Sequence, residues 1–71
     1  MRYEYEIDVL NDTGSAYFPD NIRLTREAAE QTADLLVKFN DDIRKITIDK
    51  RRVESNGCRT TVETINYYTR S

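Results

Sequence analysis

The dipeptide Asn56-Gly57, which lies between two long runs of β-favouring residues, constrains this chain more than any other feature of its sequence. Asn-Gly flanked by alternating apolar residues is the strongest short signal for a β-hairpin, because both residues accept the backbone angles of a tight turn. The runs on either side, 43–53 and 58–69, are therefore predicted to pair as antiparallel strands.

A two-residue loop at this turn fixes which residues of the two strands face each other. Apolar residues then oppose apolar residues and acids oppose bases, an agreement that a one-residue slip would destroy. The expected pairs are Ile46 with Tyr67, Ile48 with Ile65, Lys50 with Glu63, and Glu54 with Arg59.

The N-terminal segment 2–10 alternates between aromatic or β-branched residues and charged residues. A period of two predicts a strand with one buried face and one solvated face. Turn-forming residues follow at 11–14, and the segment 15–18 is a candidate second strand that pairs back on the first. The buried face is expected to carry Tyr3, Tyr5, Ile7 and Val9.

The segment 26–39 is predicted to be a helix, with Thr25 as the N-cap and Glu27 in the first turn, where the helix dipole favours a negative charge. At 100° per residue one apolar stripe emerges, with Ala29 at its edge. The stripe consists of Ala28, Thr32, Leu35, Leu36 and Phe39.

These elements predict one α+β domain that spans residues 1–71, with one helix packed on a small, mostly antiparallel sheet in the order β(β)αββ. The C-terminal hairpin closes that order. The expected core consists of Tyr5, Ile7, Val9, Leu36, Phe39, Ile46, Ile48, Ile65 and Tyr67.

A chain of 71 residues is close to the lower size limit for independent folding, and it buries only about 60% of its unfolded surface. A single cysteine and the lack of histidine argue against a disulfide or a zinc site, so we expect neither a metal nor a cofactor. A homodimer is the remaining stabilising device. A sheet edge or an apolar patch of Val53, Val62 and Tyr68 is the expected interface.

The sequence contains no apolar run close to the roughly 20 residues of a membrane span, and its first residues do not resemble a signal peptide. A cytoplasmic location is therefore expected.

Catalysis is not expected, because histidine, a phosphate-binding glycine loop and a nucleophile motif are lacking. Asp41, Asp42 and Asp49 offer oxygen ligands of the kind that Mg²⁺ prefers, but solvated turn and strand residues explain them better.

Charge is distributed unevenly along the chain. Residues 1–42 carry ten acidic and four basic side chains, whereas residues 43–71 carry three acidic and seven basic ones. A surface of one sign attracts a partner of the other sign. The predicted acidic contact surface consists of Glu4, Glu6, Asp8, Glu27, Glu30, Asp34, Asp41 and Asp42.

The basic residues of the hairpin offer an alternative, since a two-stranded ribbon can contact phosphates and bases in a DNA groove. Acidic neighbours and a sequence pI of about 5.0 make this nucleic-acid interface the weaker hypothesis. The residues concerned are Lys50, Arg51, Arg52 and Arg59.

In size, acidity, tyrosine content and element order the whole chain resembles the small host-takeover inhibitors encoded by bacteriophages. These include anti-CRISPR proteins and DNA mimics that occupy nucleoid proteins such as HU. The resemblance implies a non-catalytic inhibitor or adaptor that binds a host protein in the host cytoplasm, with an acidic surface that imitates DNA. Nucleic-acid binding through the hairpin and a structural role as a dimer or assembly subunit remain the alternatives.

Overall fold

Two long strands from the second half of the chain and one from its beginning form most of the sheet. In the computed structural model, which describes residues 2–16 and 21–70, these strands are β1 (Arg2–Asn11), β4 (Ile43–Val53) and β5 (Arg59–Thr69). Two short strands, β2 (Gly14–Ala16) and β3 (Ile22–Arg23), both pair with the outer edge of β1. The order is β2-β1-β4-β5, with every described pairing antiparallel.

The fold class predicted from the sequence, α+β in the order β(β)αββ, is wrong. The chain is a mostly antiparallel β-sheet to which one 14-residue helix, α1 (Arg26–Phe39), is added, and an extra strand, Ile22–Arg23, precedes that helix. A two-residue strand is too short to show a period, so the sequence pattern indicated only a lead into the helix. The C-terminal hairpin fits the prediction.

The second strand occupies Gly14–Ala16, at the start of the candidate segment 15–18. Residues 17 and 18 of that prediction lie outside the described part of the chain. Gly14 has a φ of 128°, a conformation that glycine adopts without the steric penalty of a side chain.

The helix has the predicted bounds, and the predicted N-cap is confirmed. The Thr25 hydroxyl accepts a 3.1 Å hydrogen bond from the Ala28 backbone N–H, which satisfies one donor of the first turn. At the other end, the Asn40 side chain donates a 2.9 Å hydrogen bond to the Leu36 carbonyl.

The helix turns a different side toward the sheet than the sequence predicted. Its buried residues are Ala29 and Ala33, whereas Leu35 and Phe39 of the predicted stripe are 56% and 72% exposed. Small alanines allow the helix backbone to approach the sheet closely, and the adjacent large residues then point outward. Phe39 is therefore removed from the predicted core.

The core lies between this helix face and one face of the sheet. It also includes Ile43, which the sequence reading did not place there. Tyr5, Leu36, Val37, Ile65, Tyr67 and Tyr68 pack against it while partly exposed, and its buried residues are Ile7, Val9, Ala29, Ala33, Ile43, Ile46 and Ile48.

The hairpin register is confirmed in its middle, where Ile48 pairs with Ile65 and Lys50 with Glu63. At both ends it is wrong. Ile46 pairs with Tyr68 instead of Tyr67, and Arg59 pairs with Val53 instead of Glu54.

A three-residue loop and two bulges in β5 explain this outcome. Glu54 and Cys58 flank the loop through a 2.9 Å backbone hydrogen bond, and Gly57 has a φ of 89°, as expected where a turn ends in a bulge. Val62 is then an extra residue that restores the predicted register, and Tyr67 is a second extra residue that shifts it again.

Candidate functional site

The face of the sheet opposite the helix is hereafter called the open face. Successive side chains of a strand point to opposite faces. Because Ile7 and Val9 face the helix, Glu4, Glu6 and Asp8 lie on the open face. The strand register places Asp49 opposite Glu6 on this same face.

Three carboxylates come together at the centre of the open face. Glu6, Asp8 and Asp49 each offer an oxygen atom, and these atoms all lie within 4.8 Å of one another. We call these three residues the carboxylate cluster. Glu6 and Asp49 are half-buried, whereas Asp8 is exposed.

Arg51 is the guanidinium that contacts the carboxylate cluster. It forms an ion pair with Glu6 and lies 3.4 Å from Asp49, and its Nε donates a 3.2 Å hydrogen bond to the Thr61 hydroxyl. The Thr64 hydroxyl donates a 2.8 Å hydrogen bond to Asp49. Neighbouring strands therefore fix the orientation of the cluster.

The surroundings of Asp8 raise its pKa. Partial burial, a hydrogen bond with Asp49, and the negative charges of Asp49 and Glu6 together raise the pKa of Asp8 from 3.8 to about 6, against the opposing effect of Arg51. The same ion pair with Glu6 raises the pKa of Arg51 above its usual value. Arg51 thus remains charged while Asp8 titrates near neutral pH.

Carboxylate oxygens are the ligands that Mg²⁺ and Ca²⁺ prefer, so these three side chains are the described ones best placed to hold a divalent cation. Asp41, Asp42 and Asp49, which the sequence analysis considered as a Mg²⁺ site and explained better as solvated residues, are not grouped together. Asp41 and Asp42 lie just before β4, while Asp49 lies well inside that strand.

Glu4 occupies a separate position on the open face. It is 6% exposed, and its two carboxylate oxygens accept hydrogen bonds from Arg2 at 3.2 Å and from Arg59 at 3.1 Å. Such a carboxylate is used within the fold. Because Glu4 is already paired with two arginines of the same chain, it is not available for the predicted acidic contact surface.

The remaining acidic residues of that surface lie elsewhere. Glu27, Glu30 and Asp34 are on the helix, on the other side of the sheet from Glu6 and Asp8. Glu30 pairs with Arg26 at 2.9 Å, and Asp34 accepts a 2.8 Å hydrogen bond from the Tyr67 hydroxyl. The helix acids therefore do not share a face of the sheet with the carboxylate cluster, and Asp41 and Asp42 lie exposed in the turn after the helix.

The basic hairpin residues are also divided between surfaces. Arg51 and Arg59 are on the open face in the ion pairs described above, and Arg52 pairs with Glu54 at 2.8 Å. Lys50 lies on the helix side of the sheet, 4.4 Å from the centre of the Tyr3 ring, a distance typical of a cation–π contact.

The topology neutralises part of the charge asymmetry of the sequence. Because β1 lies beside β4, acids of the first half meet bases of the second half. The described ion pairs between the halves are Arg51 with Glu6, Arg59 with Glu4, Arg44 with Asp12, and Arg70 with Asp12.

The structure separates the three residues of the expected apolar contact patch. Val53 is 6% exposed, and Tyr68 packs on the core because the bulge at Tyr67 turns it toward the helix. Val62 is 45% exposed at the other bulge.

The sequence reading missed the role of Asp49 beside Glu6 and Asp8. The pairing of β1 with β4 was not derivable from either strand alone, and that pairing brings these acids together.

The two described depressions of the surface are small, about 280 Å³ beside Arg2, Val53 and Gly57 and about 190 Å³ beside Asp8, Lys45 and Thr47. Ligand pockets typically have volumes of about 300–1,000 Å³.

Within residues 2–16 and 21–70, no helix has both the length and the apolar character that a membrane span requires. Comparisons of the chain with protein-family models, with curated proteins and with solved structures found no match.

Proposed function

We propose that this chain is a non-catalytic binding protein whose open face holds a basic segment of a partner protein against the carboxylate cluster. The observation that carries the proposal is the position of three carboxylates within 4.8 Å of one another, with Arg51 as the one guanidinium that contacts them among residues 2–16 and 21–70. A lysine or arginine of a partner would relieve the repulsion that remains.

The raised pKa of Asp8 supports this proposal. It indicates that Arg51 does not neutralise the cluster fully, since burial and neighbouring acids outweigh its effect. A cation brought by a partner would lower that pKa and bind more tightly to the ionised form. Binding should therefore be electrostatically steered, and it should weaken as salt or acidity rises.

The polar character of the open face favours a protein over a small molecule. Thr47, Thr64 and Asn66 lie near the cluster on two adjacent strands, and their side chains are of the kind that can donate and accept hydrogen bonds at the rim of a protein interface. The shallow depressions described above give little enclosure to a small ligand.

The resemblance to phage host-takeover inhibitors supports a role as an inhibitor or adaptor that acts by occupancy in the cytoplasm. We restrict the acidic contact surface to Glu6, Asp8 and Asp49, because Glu4 is paired with arginines and the helix acids face away. Imitation of a long DNA lattice receives less support than recognition of a short basic segment. Direct nucleic-acid binding receives less still, since Arg51, Arg52 and Arg59 are each paired with an acid of the same chain.

Affinity capture from a lysate of the source cells with matched charge variants tests the proposal. Asp8→Asn with Asp49→Asn removes two charges from the cluster while keeping the Glu6–Arg51 ion pair. Glu27→Gln with Asp41→Asn removes the same charge from the helix side. We expect a basic protein that is retained after nuclease treatment, lost with the first double variant and kept with the second. Equal loss with both variants, or capture that requires nucleic acid, would contradict the proposal.

A further inference from the structure

The helix leaves two of its larger apolar residues exposed. Among the described residues, Leu24, Leu35 and Phe39 are 70%, 56% and 72% exposed, whereas the fully buried residues of the helix are Ala29 and Ala33. At 100° per residue, Ala28, Leu35 and Phe39 lie within about 40° of one another around the helix axis. We call these three residues the helix stripe.

The helix stripe lies on the side of the helix next to β3. Thr32, beside it on the helix surface, accepts a 3.2 Å hydrogen bond from the Arg23 side chain. Leu24 immediately precedes the N-cap and extends the apolar surface beyond the first turn. The apolar surface formed by Leu24 and the helix stripe therefore has a large residue at each end, Leu24 and Phe39, and the small residue Ala28 next to Leu24.

We propose that the helix stripe is the contact surface of a homodimer in which the helices of two copies pack antiparallel about a two-fold axis. With the axis between residues 31 and 32, Leu35 of each copy packs against Ala28 of the second copy, and Phe39 against Leu24. A large residue then meets a small one, as in the packing of ridges into grooves.

Charge complementarity identifies a second copy as the occupant. Glu27 and Lys38 are exposed and lie on the same solvent-facing flank of the helix stripe, near its two ends. Antiparallel packing brings Glu27 of one copy to within about 3 Å, along the helix axis, of Lys38 of the other, and symmetry repeats the pair. The Lys38 ammonium group lies 5.5 Å from the centre of the Phe39 ring, at the end of the helix stripe where the proposed pair with Glu27 of the second copy would form.

Sedimentation velocity over a concentration series tests the interface. We expect the wild-type chain to self-associate and Leu35→Lys to remain monomeric with an unchanged circular dichroism spectrum, since Leu35 is exposed. Val62→Lys introduces the same charge at an exposed residue away from the helix and should dimerise like the wild type. A monomeric wild-type chain would overturn the proposal, as would a dimer that Leu35→Lys leaves intact, which would point to pairing through the edge of β5.

A charge exchange tests the antiparallel arrangement. Glu27→Lys and Lys38→Glu should each weaken the dimer, because each places like charges together, and the double variant should restore it. Failure of the double variant to recover association would overturn the proposed arrangement. The dimer and the proposed binding function can fail separately, since the monomeric Leu35→Lys variant retains the carboxylate cluster and can be used in the same capture experiment.

Discussion

The buried carboxylate of Glu4 accepts a 3.1 Å hydrogen bond from Arg59, 55 residues further along the chain. The two residues belong to strands that are not neighbours, because β4 lies between β1 and β5. The Arg59 side chain therefore reaches across Val53, which is 6% exposed and faces the same side. This ion pair connects the first and the last long strand of the sheet, β1 and β5.

Removing the Glu4 carboxylate should destabilise the fold. Glu4→Ala leaves the guanidinium groups of Arg2 and Arg59 without their acceptor, but both arginines are exposed enough to be hydrated in part. We expect a loss of about 1–3 kcal/mol in the free energy of unfolding, measured by urea denaturation. Asp41→Ala, at an exposed position in the turn after the helix, should change it by less than about 0.5 kcal/mol. Equal effects would show that the ion pair does not stabilise the sheet.

The centre of the core should be more sensitive than the outside of the helix. Ile48 is fully buried, so Ile48→Ala should cost about 2–5 kcal/mol through lost burial and a residual cavity. Leu24→Ala removes a similar apolar volume at a position that is 70% exposed, and it should have little effect on the unfolding of dilute protein. A larger loss from Leu24→Ala than from Ile48→Ala would contradict the packing described here.

Substitution of Gly57 should destabilise the turn. Its φ of 89° is unfavourable for residues with a Cβ, although the space around it is open. Gly57→Ala should therefore cost roughly 1–2 kcal/mol by backbone strain alone. Ser55→Ala, in the same loop, serves as the control in thermal denaturation. A neutral Gly57→Ala variant would indicate that the loop adopts another turn.

Asp8 should titrate near neutral pH. Its pKa is raised from 3.8 to about 6, so the folded chain binds this proton more tightly than the unfolded chain does. The carboxyl group thus contributes stability at acidic pH, and that contribution is lost as the pH rises from about 4 to about 6. Carbon-detected NMR of the side-chain carboxyl should give a midpoint near 6 in the wild type and a lower one in Asp49→Asn. A wild-type midpoint near 4 would show that the carboxylates do not interact.

The sequence contained enough information for the long elements and for the middle of the hairpin. Alternation in β1, the helical period and the Thr25 cap each depend on residues close together in the chain, and the structure has them as expected. The pairing of Ile48 with Ile65 was also predicted correctly. The loop has three residues where two were expected, and the extra residue Val62 in β5 compensates for this difference.

The parts that could not be predicted depend on contacts between distant segments. The direction of the helix face was misjudged because Leu35 and Phe39 are larger than Ala29 and Ala33, and hydrophobicity alone favours burial of the larger pair. In the structure the two alanines are buried and the larger pair is exposed. Likewise, the meeting of Asp49 with Glu6 and Asp8 requires the pairing of β1 with β4, which no local pattern specifies.

The central claim is that the carboxylate cluster on the open face binds a basic segment of a partner. NMR chemical-shift mapping with a lysine homopeptide as the probe tests it most directly. We predict that the largest shifts occur at the backbone amides of Thr47, Asp49 and Thr64, and that they weaken with added salt and below pH 6. They should be lost in Asp8→Asn with Asp49→Asn and retained in Glu27→Gln with Asp41→Asn. Shifts centred on the helix, or equal loss in both double variants, would contradict the claim.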